Sequence, residues 1–572
     1  PLRFPPWCPP KAAFEVADSL GFYLQVELPL WSLTVGENLE MNQFLYNEAK
    51  RILSEYGNHP SFCFLSLGNE LQPDFEFLGG LLDSVKSLDS RHLYTTTSFT
   101  FEKGHGDWPE PHDDFFITQW TKKGWVRGQG VFDVEMPNFN KDYSASVDSM
   151  PVPVITHEIG QYAVYPDLKE IEKYTGVLEP LNFKGVKQEL ENKNLLEKAD
   201  DYLSASGHLA AILYKEEIER AMKTPGISGF QLLDLHDFPG QGTALVGLLN
   251  AFWESKGVAN AEEFRQFSAP VVPLARFSKA VYKNNEQFTA DIEIANYSSE
   301  EINNKNIKWA LTNASGQPLQ EGIIPLTNIK IGGGNIAGKI SCSLSEVKKA
   351  ERLTLRVSIE NSSYKNTWNI WVYPATLTIE KEEIVATDKL TETQKALAAG
   401  KTVLFNPPYQ LCAGLQGKFV PVFWSPVHFP KQAGTMGLLL DPTHKAFAHF
   451  PTEGHTNWQW WSLTTQSRTL VIDSIYQHIT PLVECVDNFA NNRRLATLFE
   501  TNCLNGKLIV CSMDLLNHQD TFPEKKQLLY SLINYMKSNA FAPVKSISFE
   551  ELCSLVKPSS KGKKEETPQS VY

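Results

Sequence analysis

Short β-rich runs alternating with helical stretches constrain this chain more than any other feature. Six such runs lie between residues 22 and 233: Phe22–Val26, Ser61–Leu67, Leu93–Thr97, Phe115–Thr118, Val152–Thr156 and Gly229–Leu233. Helical patterns over 41–55, 76–88 and 208–223 separate several of them. Repetition of this kind is the signature of βα units. Polar residues cluster just after each run, as expected where βα loops carry a site. Six strands are two short of an eight-stranded barrel, so the expectation for residues 1–275 is a partial TIM (β/α)8 barrel lacking its first strands.

The pattern then changes. From 276 to 375, period-2 strands such as Phe288–Ile294 and Leu353–Ile359 alternate with Asn/Ser/Gly turns, which suits an immunoglobulin-like β-sandwich. Residues 376–550 return to α/β alternation. There Thr402–Phe405 and Lys507–Cys511 read as parallel-sheet strands and 524–538 as an amphipathic helix. This region faintly resembles a flavodoxin-like, class I glutamine-amidotransferase-like domain. Its only candidate nucleophile, Cys412, has no recognisable nucleophile elbow around it. The segment 551–572 reads as a disordered tail, polar and Lys/Glu-rich from Pro558 on.

Composition narrows the function. With 572 residues, three or four domains are expected at roughly 150 residues each. The formal net charge of −13 lacks the basic footprint of a nucleic-acid binder. No run approaches about 18 uninterrupted apolar residues, so no membrane span is expected. The eight cysteines form neither a CxxC nor a Cys/His cluster, which indicates neither a disulfide framework nor a zinc site. Pro1 through Pro6 resemble neither a signal peptide nor a domain opening. The expectation is a start inside a domain, with any signal region upstream.

Two carboxylates carry the strongest chemical signal. Leu67-Gly68-Asn69-Glu70 closes one β-rich run and Thr156-His157-Glu158 closes another. In a βα barrel the carboxyl ends of the strands converge on one mouth, so distant residues can face each other. Carboxyl groups about 5–5.5 Å apart suit glycoside cleavage by double displacement, in which one attacks and the other shuttles the proton. The competing reading makes both Glu residues helix caps or partners of lysine.

The stretch from Arg3 to Glu158 resembles the catalytic barrel of glycoside hydrolase family 2, the β-galactosidase, β-glucuronidase and β-mannosidase group. The matching pieces are Arg3 through Trp7, Gly21 through Glu27, Tyr56-Gly57-Asn58-His59-Pro60-Ser61 and Gly68-Asn69-Glu70. The resemblance implies Glu70 as general acid/base, Asn69 as ligand of the sugar 2-hydroxyl, Glu158 as nucleophile and Arg3 as the group that orients it. It also implies that two barrel strands and the amino-terminal domains precede residue 1. A periplasmic or extracellular location is favoured by the same analogy.

Departures from the family bear on the sugar. Pro6 stands where β-galactosidases have His, and Trp120 where the family has a tyrosine touching the nucleophile. Thr243 through Gly247 lack the Asn-x-Lys with which glucuronidases hold a carboxylate. A neutral sugar is therefore expected, removed by an exo-acting, retaining, β-galactosidase-like enzyme. In the polar segment 234–242, Asp234 and His236 are the better candidates for lining the sugar pocket. No cofactor is required; magnesium or calcium would enter by family analogy alone, with no ligand set specified. The implied partner is a carbohydrate, and oligomeric state is not legible. The alternative is a catalytically degenerate carbohydrate-binding protein on the same scaffold.

Three other motifs compete for attention. His157-Glu158-Ile159-Gly160-Gln161 begins like a zinc-protease HExxH but lacks the second histidine. Gly333 through Lys339 fits GxxxxGK, yet Ile340 stands where a Ser or Thr must hold magnesium. The cluster His455 through Trp461 reads as interface packing in preference to a sugar platform.

Overall fold

The computed structural model describes residues 2–325, 328–380 and 383–556. They divide into two compact units. Of these, the first comprises residues 2–128, 142–159 and 217–232; the second comprises 129–141, 160–216 and the described residues from 233 to 556.

Seven parallel strands make the frame of the first unit. Strands β1 (Leu2–Phe4), β2 (Leu24–Glu27), β3 (Phe62–Ser66) and β4 (Leu93–Thr95) pair in chain order. Strands β5 (Phe116–Thr118), β6 (Val154–Ile159) and β7 (Ile227–Leu232) do the same. Ser98 bridges in parallel to Asn69 on one side and to Ile117 on the other, joining the two sheets. The expected count of six strands is thus corrected to seven. β1 has only three residues, too few to show a period, and it supplies Arg3.

Helices α1 (Lys11–Leu20), α2 (Leu39–Tyr56) and α3 (Phe75–Leu88) separate the first four strands. Asn38 and Asp74 cap the second and third by accepting from the first free amides, Glu40 and Met41 or Glu76 and Phe77. Gly21 ends α1 in the left-handed conformation that glycine adopts without strain, φ 73°. Phe14, Leu45, Ile52, Leu78, Leu82 and Val85 from these helices pack with Leu24, Val26 and Leu65 from the strands. The alternate residues Gln25 and Glu27, also buried, belong to the other face. That face is polar, and it curls on itself: Gln231 Nε2 on β7 donates to Gln25 Oε1 on β2 at 2.9 Å.

Within the second unit, Val271–Arg276, Gln287–Asn296 and Gly332–Ser343 form an antiparallel sheet. A second sheet has the order Val281–Lys283, Lys365–Tyr373, Glu351–Ile359, Asn306–Thr312 and Pro318–Pro325. Phe288, Ala290 and Ile292 of the first share a core with Leu353, Leu355 and Val357 of the second. A larger sheet follows. Thr402–Phe405 pairs in parallel with Ile384–Thr387 and with Gly506–Cys511, as expected. Leu495–Cys503, however, runs antiparallel to Gly506–Cys511, so the sheet is mixed. The helix expected over 524–538 spans Pro523–Lys537.

Phe549–Val556 is also helical, which replaces the first part of the expected tail; the remainder of 551–572 lies outside the described residues. Trp460 and Trp461 are buried, their indole N–H groups donating to Thr452 Oγ1 and to the Phe132 carbonyl. The aromatic cluster is therefore packing. Among the described residues, no helix is long and apolar enough to cross a membrane.

Candidate active site

The carboxyl ends of β1, β2, β3 and β6 bring Arg3, Glu27, Asn69, Glu70, His157 and Glu158 together. The Arg3 guanidinium is the hub. Nε donates to Glu27 Oε1 at 2.7 Å, Nη1 to Glu158 Oε1 at 3.0 Å and Nη2 to Asn69 Oδ1 at 2.6 Å. Glu27 is fully buried and accepts in addition from Gln25 Nε2 at 3.0 Å and from the Ser98 hydroxyl. A buried carboxylate with this many donors is stable only as part of such a network.

Backbone irregularities aim the two remaining carboxylates. Thr156 pairs with Phe230 and Ile159 with Leu232, so β6 spends one residue more than β7 over this step. The extra residue is a bulge, and Glu158 sits there at φ 46°. Consecutive strand residues ordinarily point to opposite faces; here His157 Nε2 and Glu158 Oε1 are 3.3 Å apart. Glu70 is likewise left-handed, φ 52°. It follows Gly68, where any Cβ would collide with the Leu30 carbonyl oxygen. Such conformations cost on the order of 1–3 kcal/mol each and concentrate at functional sites.

One oxygen of each carboxylate and a histidine nitrogen lie within 4.8 Å of one another across Glu70, His157 and Glu158. Their environments differ sharply. Burial and the charge of Glu158 push the Glu70 carboxyl up to about 7, although Trp31 Nε1 donates to its Oε2 at 3.1 Å. For Glu158, burial alone would raise the value, but the charge and N–H of His157, and then those of Arg3, outweigh it and hold it down at about 2. Near neutrality one carboxyl is held as an acid and the other as an anion. Pairs separated in this way are the physical basis for assigning acid and nucleophile roles.

Arg3, Asn69, Glu70 and Glu158, expected together from the sequence, are adjacent. Trp120 is not bonded to Glu158 by any of the hydrogen bonds given above. Its ring packs edge-on against Phe99 and Trp125, at 4.7 and 5.3 Å between centroids. The ring nitrogen beside Glu158 Oε1 is that of His157, Nε2 at 3.3 Å. Asp234 and His236 belong to the second unit, where His236 Nε2 lies 3.5 Å from Asp234 Oδ2 and the ring packs on Trp253. Glu27, Trp31, Ser98, Gln119 and His157 were not singled out from the sequence as parts of this site. Cys412 is buried, with its thiol pushed up to about 12 by burial, which suits packing and not nucleophilic attack.

Glu70, His157 and Glu158 also offer three potential metal ligands. Magnesium and calcium take shells of six or more oxygens. Two carboxylates and an imidazole beside the Arg3 cation do not fit either ion.

The model of a domain of unknown function, DUF8488, matches residues 286–374, and that of a second one, DUF8487, matches residues 385–557. No curated protein matches the chain. Among solved structures, the chain is similar to a β-D-mannosidase from Dictyoglomus thermophilum, with 14% identity, a TM-score of 0.45 and coverage of 67% of this chain and 47% of that one. It is similar to the exo-chitosanase CsxA from Amycolatopsis orientalis, with 12% identity, a TM-score of 0.42 and coverage of 66% and 45%. It is similar too to a β-glucuronidase from Bacteroides uniformis, with 14% identity, a TM-score of 0.31 and coverage of 68% and 43%. The chain spans less than half the length of each of these structures.

Proposed function

We propose that this protein is a retaining glycoside hydrolase removing a terminal, β-linked neutral sugar, with the seven parallel strands as most of a (β/α)8 barrel and the antiparallel sheets as an immunoglobulin-like sandwich. One observation carries the reading: two carboxylates with oxygens within 4.8 Å of each other, one held near 7 and the other near 2. The spacing favours double displacement, because an inverting pair stands about 6.5–9.5 Å apart to admit water between the carboxyls.

In the first step a Glu158 oxygen bonds to the anomeric carbon as the glycosidic C–O bond breaks and Glu70 gives its proton to the departing oxygen. Esterification removes the charge of Glu158. That charge is one reason Glu70 holds its proton, so once the ester has formed Glu70 stays ionised and is in the state a base requires. In the second step Glu70 takes a proton from water, the water oxygen bonds to the anomeric carbon, and Glu158 leaves as a carboxylate.

The test is hydrolysis of a panel of nitrophenyl β-glycosides, followed by labelling with the 2-deoxy-2-fluoro glycosyl fluoride of the best sugar. The expected label maps to Glu158, and Glu158→Gln abolishes both turnover and label. Turnover that survives Glu158→Gln would overturn the proposal.

A further inference from the structure

The catalytic steps above use no proton of His157, although it is fully buried beside the reacting groups. Its hydrogen-bonding role follows from its neighbours, starting from Arg3. A guanidinium has only donors. Because Arg3 Nη2 lies 2.6 Å from Asn69, the amide oxygen and not the nitrogen must face it. The same oxygen is 3.3 Å from His157 Nε2, so Nε2 carries a hydrogen. At the far side of the ring, the Gln119 amide nitrogen lies 3.2 Å from Nδ1, which accepts. When the ring is neutral, Gln119 thereby selects the tautomer with its hydrogen on Nε2. Phe99 fixes the ring plane, its centroid 5.2 Å away and its plane tilted by 29°.

Two consequences follow for the reacting groups. Glu158 Oε1 receives Arg3 Nη1 at 3.0 Å and lies 3.3 Å from His157 Nε2, which leaves Oε2 as the oxygen turned away from both groups. Asn69 Oδ1 receives Arg3 Nη2 and His157 Nε2, which turns the Nδ2 donors away from the protein partners. We infer that His157 is a positioning residue that aims the attacking oxygen of Glu158 and the amide of Asn69 together. Discrimination for a hydroxyl beside the anomeric carbon is then set through the Gln119–His157 pair. The inference rests on the glycosidase reading above.

The experiment compares the best nitrophenyl β-glycoside with its 2-deoxy counterpart in the native protein, His157→Phe, His157→Gln and Gln119→Leu. In His157→Phe the preference for the hydroxyl-bearing substrate, as a ratio of kcat/KM, is expected to shrink about tenfold, the order one hydrogen bond contributes. The acid limb of kcat/KM also moves to higher pH, because the anion has lost a donor. His157→Gln, which keeps an N–H near the same place, restores most of the preference. Gln119→Leu, which leaves the imidazole in place, shrinks the preference in part and serves if His157→Phe does not fold. Equal losses on both substrates with an unmoved acid limb, or an unchanged preference in Gln119→Leu, overturn the inference and leave the glycosidase reading standing. A native protein that neither hydrolyses the panel nor takes the fluorosugar label at Glu158 overturns that reading itself.

Discussion

Arg3 and Glu27 form a nearly buried pair on neighbouring parallel strands, Nε to Oε1 at 2.7 Å, with side-chain exposures of 10% and 0%. The pair matters because the same guanidinium must also hold Glu158. Removing the cation leaves two carboxylates facing each other in a dry site. Arg3→Met is therefore expected to cost about 3–5 kcal/mol of stability, the range for breaking one half of a buried ion pair. Chemical denaturation checks this. Arg3→Lys should fare little better, because a single ammonium cannot span Glu27, Glu158 and Asn69 together. A loss below about 1 kcal/mol in Arg3→Met would mean that the network is solvated.

The pH dependence follows from the two carboxyls. Activity needs Glu70 protonated and Glu158 ionised. kcat/KM should accordingly fall as pH rises through about 7, where Glu70 loses its proton, and stay high toward acid until Glu158 protonates near 2 or the fold gives way. Trp31 tunes the alkaline limb: its N–H stabilises the ionised form of Glu70 and so lowers the value. Trp31→Phe is expected to move that limb to higher pH. A limb that stays put or moves down would separate Trp31 from the acid.

Leaving-group dependence isolates the proton donor. Glu70→Ala should slow cleavage of glycosides with poor leaving groups by about 10²–10⁴-fold, the usual contribution of general acid catalysis. Activated aryl glycosides, which hardly need protonation to depart, should lose far less in the glycosylation step. Steady-state rates across a series of aryl leaving groups measure the difference. Equal losses throughout the series would remove Glu70 from the acid role.

Why part of this site was legible and part was not has physical causes. Asn69-Glu70 and His157-Glu158 stand out because each closes a hydrophobic run, and strand ends are where a βα fold gathers chemistry. Glu27 closes a run as well, but its significance lies in being buried against Arg3, a pairing across 24 residues that no local pattern encodes. His157 drew notice as half of a zinc motif. Its actual position depends on the bulge at 157–158, and strand periodicity gives no warning of an extra residue. Trp31 lies outside any periodic element, and 55% of it is exposed. In the second unit, the sheet is mixed. Leu504-Asn505 is the two-residue turn between Leu495–Cys503 and Gly506–Cys511, which pair antiparallel, while Gly506–Cys511 also keeps the expected parallel pairing with Thr402–Phe405.

The charge of Glu158 should be visible in the titration of its neighbour. That charge stands next to burial among the causes that raise Glu70. Glu158→Gln keeps the shape of the side chain and removes the charge, so Glu70 is expected to release its proton at lower pH in this variant than in the native protein. The same fall is expected in the fluorosugar-labelled enzyme, where an ester replaces the anion. Carbon-13 NMR of labelled glutamate carboxyls, with Glu70→Gln used for assignment, follows the change directly. Loss of a nearby anion lowers a carboxyl, so a lowered Glu70 is the expected result, and an unmoved Glu70 would show that the two carboxyls do not sense each other across the site.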